Sequence, residues 1–375
     1  MIQLFYKFID RGIDWFFRPR SVGVQLLKYG SAVLIAALGA DIAFGAEYRG
    51  KDSSFGFRVS TSGGLPALAT NSAYVLGAVL IFLGIGLIFR QVALDIRKER
   101  RQLLIVVELR GLHNAPDTPA RDAIMRDFLG QRHSIVLDFR PQRSGDLVDR
   151  HLVLHKLNSL MPTIEALAAG RDSSDVFVAV GGLAAIPALF LAGVLLDDES
   201  NVTIFDWDRA RRRWQLPEGP DDGKRFRMLD MSGIAGVCPE VVLVAACSYR
   251  IDSDDVAAAF PGLPVARLDA EELLADRFWS QQKQEAFVTD FRDAVQHLLN
   301  NGATRIHVLL AAPSSLAIRM GMAYDRRLHP DLVVYQYERS LTGTYPWGLR
   351  MPSHGNPQAS IVESMQQPAG QAPSA

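Results

Sequence analysis

The chain has 375 residues, 48% apolar and 22% charged, which allows two or three domains and a sizeable core. A net charge of −1 gives no global pull on polyanions, so direct binding of a DNA or RNA polymer is not expected and a nucleotide would need a local pocket. Cys238 and Cys247 lie in or beside apolar runs without metal-ligand spacing and read as buried free thiols of a reducing compartment.

The first segment, residues 1–25, opens MIQLFYKFIDRGIDWFFRPR. Leu4, Phe5, Phe8, Ile9, Ile13, Phe16 and Phe17 recur at helical spacing among Lys7, Arg11 and Arg18. This pattern fits an amphipathic helix lying in a membrane interface; the plainer alternative is the start of the first membrane helix. Residues 26–46 are apolar apart from Lys28 and Asp41, and residues 72–94 are built on the charge-free run Ala73–Phe89. Each is close to the roughly 20 residues that cross a hydrocarbon core of about 30 Å. A cleaved signal is a weaker reading of the first, because its leader is long and Ala-Phe-Gly-Ala is a mediocre cleavage site.

Lys7, Arg11, Arg18, Arg20 and Lys28 flank the first span, and Arg90, Arg97, Lys98, Arg100 and Arg101 follow the second. By the positive-inside rule both termini face the cytoplasm and residues 47–71 form a short external loop. Residues 95–102, DIRKERRQ, continue the second helix as a charged stalk, or anchor it to anionic lipid. Ala32, Ala36 and Ala40 form a small-residue stripe, and Ala73 and Gly77 repeat its spacing. Such stripes let helices approach closely, within one chain or between chains. Asp41, an acid in a membrane segment, is a candidate for assembly or pore lining, or merely reaches water at the outer leaflet.

From Leu103 the pattern is that of a soluble α/β domain, in halves of about 103–216 and 238–351. In the first half, Leu104–Leu109 reads as a strand ending at Arg110, Arg121–Leu129 as a short helix and Ile135–Phe139 as a strand. Val148–Gly170 reads as a long helix split at Pro162, and Asp175–Trp207 as a βαβ unit. Arg209–Arg213 is a charge run, and the turn-rich stretch Pro217–Gly236 marks the boundary between halves. In the second half, Glu240–Ala246 is a buried strand followed by Cys247-Ser248-Tyr249-Arg250, and Gln281–Asn300 is a helix ended by Asn301-Gly302. Residues 352–375, rich in Pro, Gln, Ser, Gly and Ala, read as a disordered tail.

The stretch Ile306–Leu349 carries the strongest pattern. It holds a buried strand, then Ala-Ala-Pro-Ser-Ser opening a helix, then Val-Val-Tyr-Gln-Tyr-Glu and finally Tyr-Pro-Trp-Gly-Leu. A shift of 130 positions lays Val176–Gly182 over Ile306–Ala312 and Val202–Trp207 over Leu332–Tyr337 without a gap, which reads as a duplicated half. This ordered combination resembles the SAVED domain, the sensor of bacterial cyclic-oligonucleotide-based antiphage signalling (CBASS). The resemblance implies two fused Rossmann-like halves related to the CARF domains of type III CRISPR systems. It also implies a cyclic oligonucleotide ligand, first a cyclic trinucleotide, made by a cGAS/DncV-like nucleotidyltransferase. On that reading the two membrane helices are the output: ligand-driven self-association that disrupts the inner membrane, ending in abortive infection.

No catalytic constellation is evident. There is no Gly-x-Gly-x-x-Gly, P-loop or nucleophile elbow, and the eight histidines form no metal-ligand set, so no cofactor or metal is expected. Ligand-binding candidates are the turns after the strands, which converge on one rim in doubly wound sheets. They are Arg110, Gly181, Gly182, Ser248, Tyr249, Arg250, Pro313, Ser314, Ser315 and Arg319, with Tyr345 and Trp347 as base-stacking aromatics. The rival readings are a membrane-anchored Rossmann-like enzyme acting on a nucleotide-containing substrate, and a protein-binding scaffold.

Overall fold

The computed structural model of the chain describes residues 22–43, 47–50, 53–56, 65–111, 119–128, 130–141, 147–197, 201–234, 236–274, 277–338 and 344–364. It divides into two compact units, Met1–Arg100 and Arg101–Ala375. The interfacial segment expected before Val22 lies outside the described residues.

In the first unit, α1 (Val22–Ala43) is followed by strands β1 (Glu47–Gly50) and β2 (Ser53–Gly56), paired antiparallel, and by α2 (Leu65–Arg101). The second helix is one element of 37 residues that runs without a break through residues 72–94 and the charged stretch after them to Arg101. Within it, Asn71–Arg101 is long and apolar enough to cross a membrane. The first helix starts at Val22, four residues before the expected span 26–46, and Lys28 lies in its second turn. The two helices pack through glycines. Gly23 meets the Gly84 backbone, and Gly30 meets that of Gly77. The Ala73/Gly77 stripe is therefore used within the chain at Gly77, whereas Ala32 and Ala36 are exposed and Ala73 is half-buried. Ala40 and Asp41 belong to α1, but their side chains fall outside the described set.

The second unit opens with β3 (Leu103–Arg110), whose seven-residue buried run fits a strand covered on both faces. Next come α3 (Ala120–Ala123) and β4 (Gln131–Asp138). The helix expected over Arg121–Leu129 shrinks to a single turn. The long helix over Val148–Gly170 is two helices, α4 (Arg150–Asn158) and α5 (Leu160–Ala168). They break at Ser159, and Pro162 sits in the first turn of α5, where a missing N–H costs nothing. Strand β5 (Val176–Leu183) leads into α6 (Ile186–Leu196), which is apolar all round because it is buried on nearly every side. Short strands β6 (Val202–Ile204) and β7 (Asp206–Asp208) follow. The latter forms a hairpin with β8 (Arg213–Gln215), whose tip is the Arg209–Arg213 charge run.

The second half contains β9 (Glu240–Ala246), α7 (Ser253–Ala259), β10 (Val265–Asp269), α8 (Gln281–Asn300), β11 (Arg305–Ala311), α9 (Ser314–Met322) and β12 (Asp331–Glu338). It ends with β13 (Thr344–Arg350) and β14 (Ser360–Glu363). The last strand pairs antiparallel with β13, so the expectation of a tail disordered from residue 352 fails for 352–364. Ala359 is buried, Ser353 bridges Asn356, and residues 360–363 pair with β13 as the sheet's edge strand. The Pro217–Gly236 stretch is likewise more than a boundary loop: Phe226 and Asp230 bridge Ala270 and Arg267, closing the outer edge of β10.

The strand orders are β4-β3-β5-β6 and β10-β9-β11-β12-β13-β14. The first four strands of each sheet run parallel and in the same order, second-first-third-fourth. The duplication read from the sequence is thus a repeated Rossmann-like layout, with β13 and β14 added to the second copy. The central helices are exchanged: α6 packs on β12 and β13, and α9 on β5 and β6. Where the two helices cross, Gly193 and Gly321 leave no room for a methyl, which would strike the Ile318 and Phe190 carbonyl oxygens. One continuous apolar core, from Leu103 to Ala359, therefore serves both halves.

Candidate functional site

Helices α6 and α9 both begin immediately after a parallel strand, and neither has a side-chain cap from its own N-cap residue, Ala185 or Pro313. Each borrows one from the other half. Asp206 on β7 accepts from the Ser315 amide (3.2 Å) and the Ser315 hydroxyl (2.7 Å) through Oδ2, while its Oδ1 accepts from the Trp207 amide (2.8 Å). Gln336 on β12 accepts from the Ile186 amide (3.1 Å).

The Asp206 side continues inward as a hydrogen-bonded network. The Gln284 amide donates to the Ser315 hydroxyl (2.9 Å) and the Phe278 carbonyl (2.7 Å), and accepts from Arg319 Nε (2.8 Å). Asp206 is half-buried as a residue, with its carboxylate at the enclosed end. Burial pushes that carboxyl above the usual range, and the Ser315 donors pull it part of the way back.

In front of these two helix starts lies a cavity of about 230 Å³. The first half contributes Leu183, Ala184, Ile186, Leu189, Asp206, Trp207 and Arg209, and the second contributes Ser248, Tyr249, Phe278, Trp279, Ala312, Pro313 and Ser314. Two helix amino ends facing one space supply a positive field, partly offset by Asp206, with Arg209 as the lining cation. Trp207, Tyr249 and Trp279 provide flat apolar faces, and Trp207 is held edge-on by Trp214 at 5.4 Å between ring centres. Tyr249 is 59% exposed and so available to a ligand. A second cleft, about 490 Å³, lies beyond the opposite ends of α6 and α9, with Asp197, Asp325, Arg326, Arg327 and His354 on its wall.

Of the residues singled out in the sequence, the structure brings Ser248, Tyr249, Pro313 and Ser314 together at the cavity. Ser315 is fully buried behind it, its hydroxyl and amide already spent on Asp206. Arg319 lies deeper in the same network, where burial lowers its pKa. The remaining candidates do other work. Arg110 pairs with the buried Glu108 (2.7 Å) instead of facing the cavity. Gly181 and Gly182 admit Trp214 and Leu109, and Arg250 is exposed outside the lining. Tyr345 and Trp347, expected to stack bases, are 3% and 2% exposed and belong to the core. The sequence reading missed Asp206, Trp207, Arg209, Gln284 and Trp279. The signal for the first was present, since Asp206 and Gln336 stand 130 positions apart, the shift of the duplication. Among the described residues no group of His, Cys, Asp or Glu could hold a metal.

Two family profiles match the chain. The SAVED profile, "SMODS-associated and fused to various effectors sensor domain", covers residues 162–351, and Saf_2TM, "SAVED-fused 2TM effector domain", covers residues 2–154. No curated protein matches. Among solved structures, the chain is similar to the Acinetobacter baumannii Cap4 SAVED/CARF-domain containing receptor with the cyclic trinucleotide 2′3′3′-cAAA. The identity is 12% and the TM-score 0.44, over 80% of this chain and 61% of that one. The same receptor with 3′3′3′-cAAA gives 11% and 0.44, over 80% and 61%. The Moraxella osloensis Cap4 receptor gives 13% and 0.41, over 79% and 60%. The chain thus spans about three fifths of the length of these receptors.

Proposed function

The chain belongs to the SAVED family, with a 2TM effector region ahead of the sensor, and we propose that it is an antiphage membrane effector switched on by a cyclic oligonucleotide. The ligand is a cyclic trinucleotide made by a cGAS/DncV-like nucleotidyltransferase, and it binds in the cavity between the two halves. The carrying observation is that both halves' strand ends and the amino ends of both α6 and α9 open onto that one cavity. Helix amides and Arg209 suit phosphodiester oxygens, and Trp207, Tyr249 and Trp279 suit bases. Binding there draws sensor units together, and the α1–α2 hairpins assemble and disrupt the bacterial inner membrane, causing abortive infection. The protein acts by binding and assembly, not catalysis. Both termini are cytoplasmic, in line with the basic residues flanking the spans.

Equilibrium titration of the purified full chain in detergent with cyclic di-, tri- and tetranucleotides, 2′3′3′-cAAA and 3′3′3′-cAAA among them, tests the sensing step. A cyclic trinucleotide should bind, and Trp207→Ala or Arg209→Ala should weaken it at least about tenfold, the loss of one stacking or charge-assisted contact. Binding of no member of the panel would refute the reading. For the topology, a reporter active only outside the inner membrane should be silent after Ala375 and active within Ser53–Ser62.

A further inference from the structure

The α1–α2 hairpin carries a lysine at mid-depth. A methyl on Gly23 would lie 3.0 Å from the Gly84 carbonyl oxygen, and one on Gly30 would lie 2.9 Å from that of Gly77. These two pairs, seven residues apart on both helices, fix a single antiparallel register that sets Lys28 level with Val79. Counting along α2, Val79 is eight residues, about 12 Å, from Asn71 and eleven residues, about 16 Å, from Arg90. The whole run Leu65–Phe89 between is uncharged. A snorkelling stem shortens the path from Lys28 to water without abolishing it.

The lysine also faces away from the hairpin. Gly23, Val24, Gly30 and Ala37 are the buried face of α1, whereas Lys28, Ala32 and Ala36, spaced i, i+4, i+8, are exposed on another. A bare ammonium against lipid tails is costly, and such groups face a protein partner or water. No carboxylate of the hairpin can serve. The acids of the two helices are Asp41, thirteen residues from Lys28 and about 20 Å along the helix, and Asp95 and Glu99, at least sixteen residues and about 24 Å beyond the level of Val79. A neighbouring copy brings none either. In a ring whose axis runs along the membrane normal every residue keeps its depth, so Lys28 meets other copies of Lys28. Like charges at one level are tolerable only when hydrated. The small Ala32 and Ala36 side chains on the same face let a second α1 approach.

We propose that Lys28 lines a water-filled passage formed by several copies of the α1–α2 hairpin, and that its ammonium makes the passage prefer anions. This rests on the membrane output proposed above and adds the lining residue and the ion selectivity. A ring of lysines is the arrangement that favours anion passage.

The test reconstitutes the full chain into liposomes under a KCl gradient, adds 2′3′3′-cAAA or 3′3′3′-cAAA, and follows chloride and potassium permeability while binding is measured in parallel. Wild type should favour chloride, Lys28→Met should fall to near parity, and Lys28→Glu should favour potassium. Lys28→Met keeps the comparison usable if the acidic variant does not insert. Conducting variants with the wild-type preference would overturn the assignment of Lys28 while leaving the membrane output intact. A wild type that binds a member of the cyclic di-, tri- and tetranucleotide panel without conducting would overturn the output and this assignment together, an outcome visible without any variant.

Discussion

Asp206 and Gln336 stand 130 residues apart at equivalent positions of the two halves, and each caps the central helix of the other. The caps are unequal. Gln336 gives one neutral hydrogen bond, while Asp206 gives a carboxylate that accepts three. Burial raises the Asp206 pKa above its unfolded value. Protonation therefore favours the folded state, so this contribution to stability is fully present below the unfolded value, about 3.9, and is lost as pH rises through the folded value. Asp206→Asn keeps an acceptor for Ser315 and removes the titration. Its stability relative to wild type, read from denaturant midpoints, should rise from acid to neutral pH. Asp206→Ala removes the same titration and also orphans the Ser315 donors, so it should lie about 1–3 kcal/mol below Asp206→Asn at every pH. A flat difference between Asn and wild type would show that Asp206 does not titrate with folding.

The crossing of α6 and α9 yields a second prediction. Gly193→Ala places a methyl against the Ile318 carbonyl, backbone that cannot swing aside. Overpacking of this kind costs about 1–3 kcal/mol. Because the cavity opens at the far ends of these two helices, ligand affinity should fall with it. Gly223→Ala, at a φ of +75° with open space around it, should lose stability through backbone strain alone and leave affinity unchanged. Calorimetry and ligand titration on both variants check this.

The aromatic residues divide by burial. Tyr249→Ala should weaken ligand binding with little change in the melting temperature, since its ring is mostly exposed at the cavity. Trp347→Ala should do the reverse and lose about 3–5 kcal/mol of stability, the cost of emptying a core site of that size. The opposite pattern would return the recognition role to Trp347.

Arg110 supplies a test of a rejected candidate. Its partner Glu108 is 1% exposed and also accepts the Ala120 amide (2.9 Å). Arg110→Ala strands a buried carboxylate and should cost about 3–5 kcal/mol. Adding Glu108→Gln should recover much of that, with ligand affinity unmoved throughout. A large affinity loss in the rescued double variant would place Arg110 at the ligand after all.

The alternation of apolar strand runs with helices made the repeated half legible, because a buried parallel strand leaves a continuous apolar signature. The turns after β9 and β11 were legible for the same reason: Ser248, Tyr249 and Ser314 follow directly on such runs. Residues that act across the pseudo-symmetric interface were not. Asp206 and Gln336 serve helices about 110 and 150 positions away, and no local pattern encodes an exchanged cap. Tyr345 and Trp347 misled because an aromatic beside Pro346 or Gly348 looks alike whether it faces a ligand or the core. Arg209 was hidden in a charge run, since a single cation at a cavity and its solvated neighbours share one composition. Of the glycine seam between α1 and α2 the sequence showed the α2 side at Gly77, but Gly23 and Gly30 were passed over for the alanine stripe, although Gly23, Gly30, Gly77 and Gly84 have the spacing of seven that a packed pair repeats.

Hydrogen–deuterium exchange of the full chain, with and without a cyclic trinucleotide that binds it, tests the location of sensing most directly. Ligand in the cavity between the halves should slow exchange together at residues 183–189, 206–209, 247–250 and 312–316, two segments from each half. Protection confined to one half, or centred on the cleft around Arg326, Arg327 and His354, would contradict it.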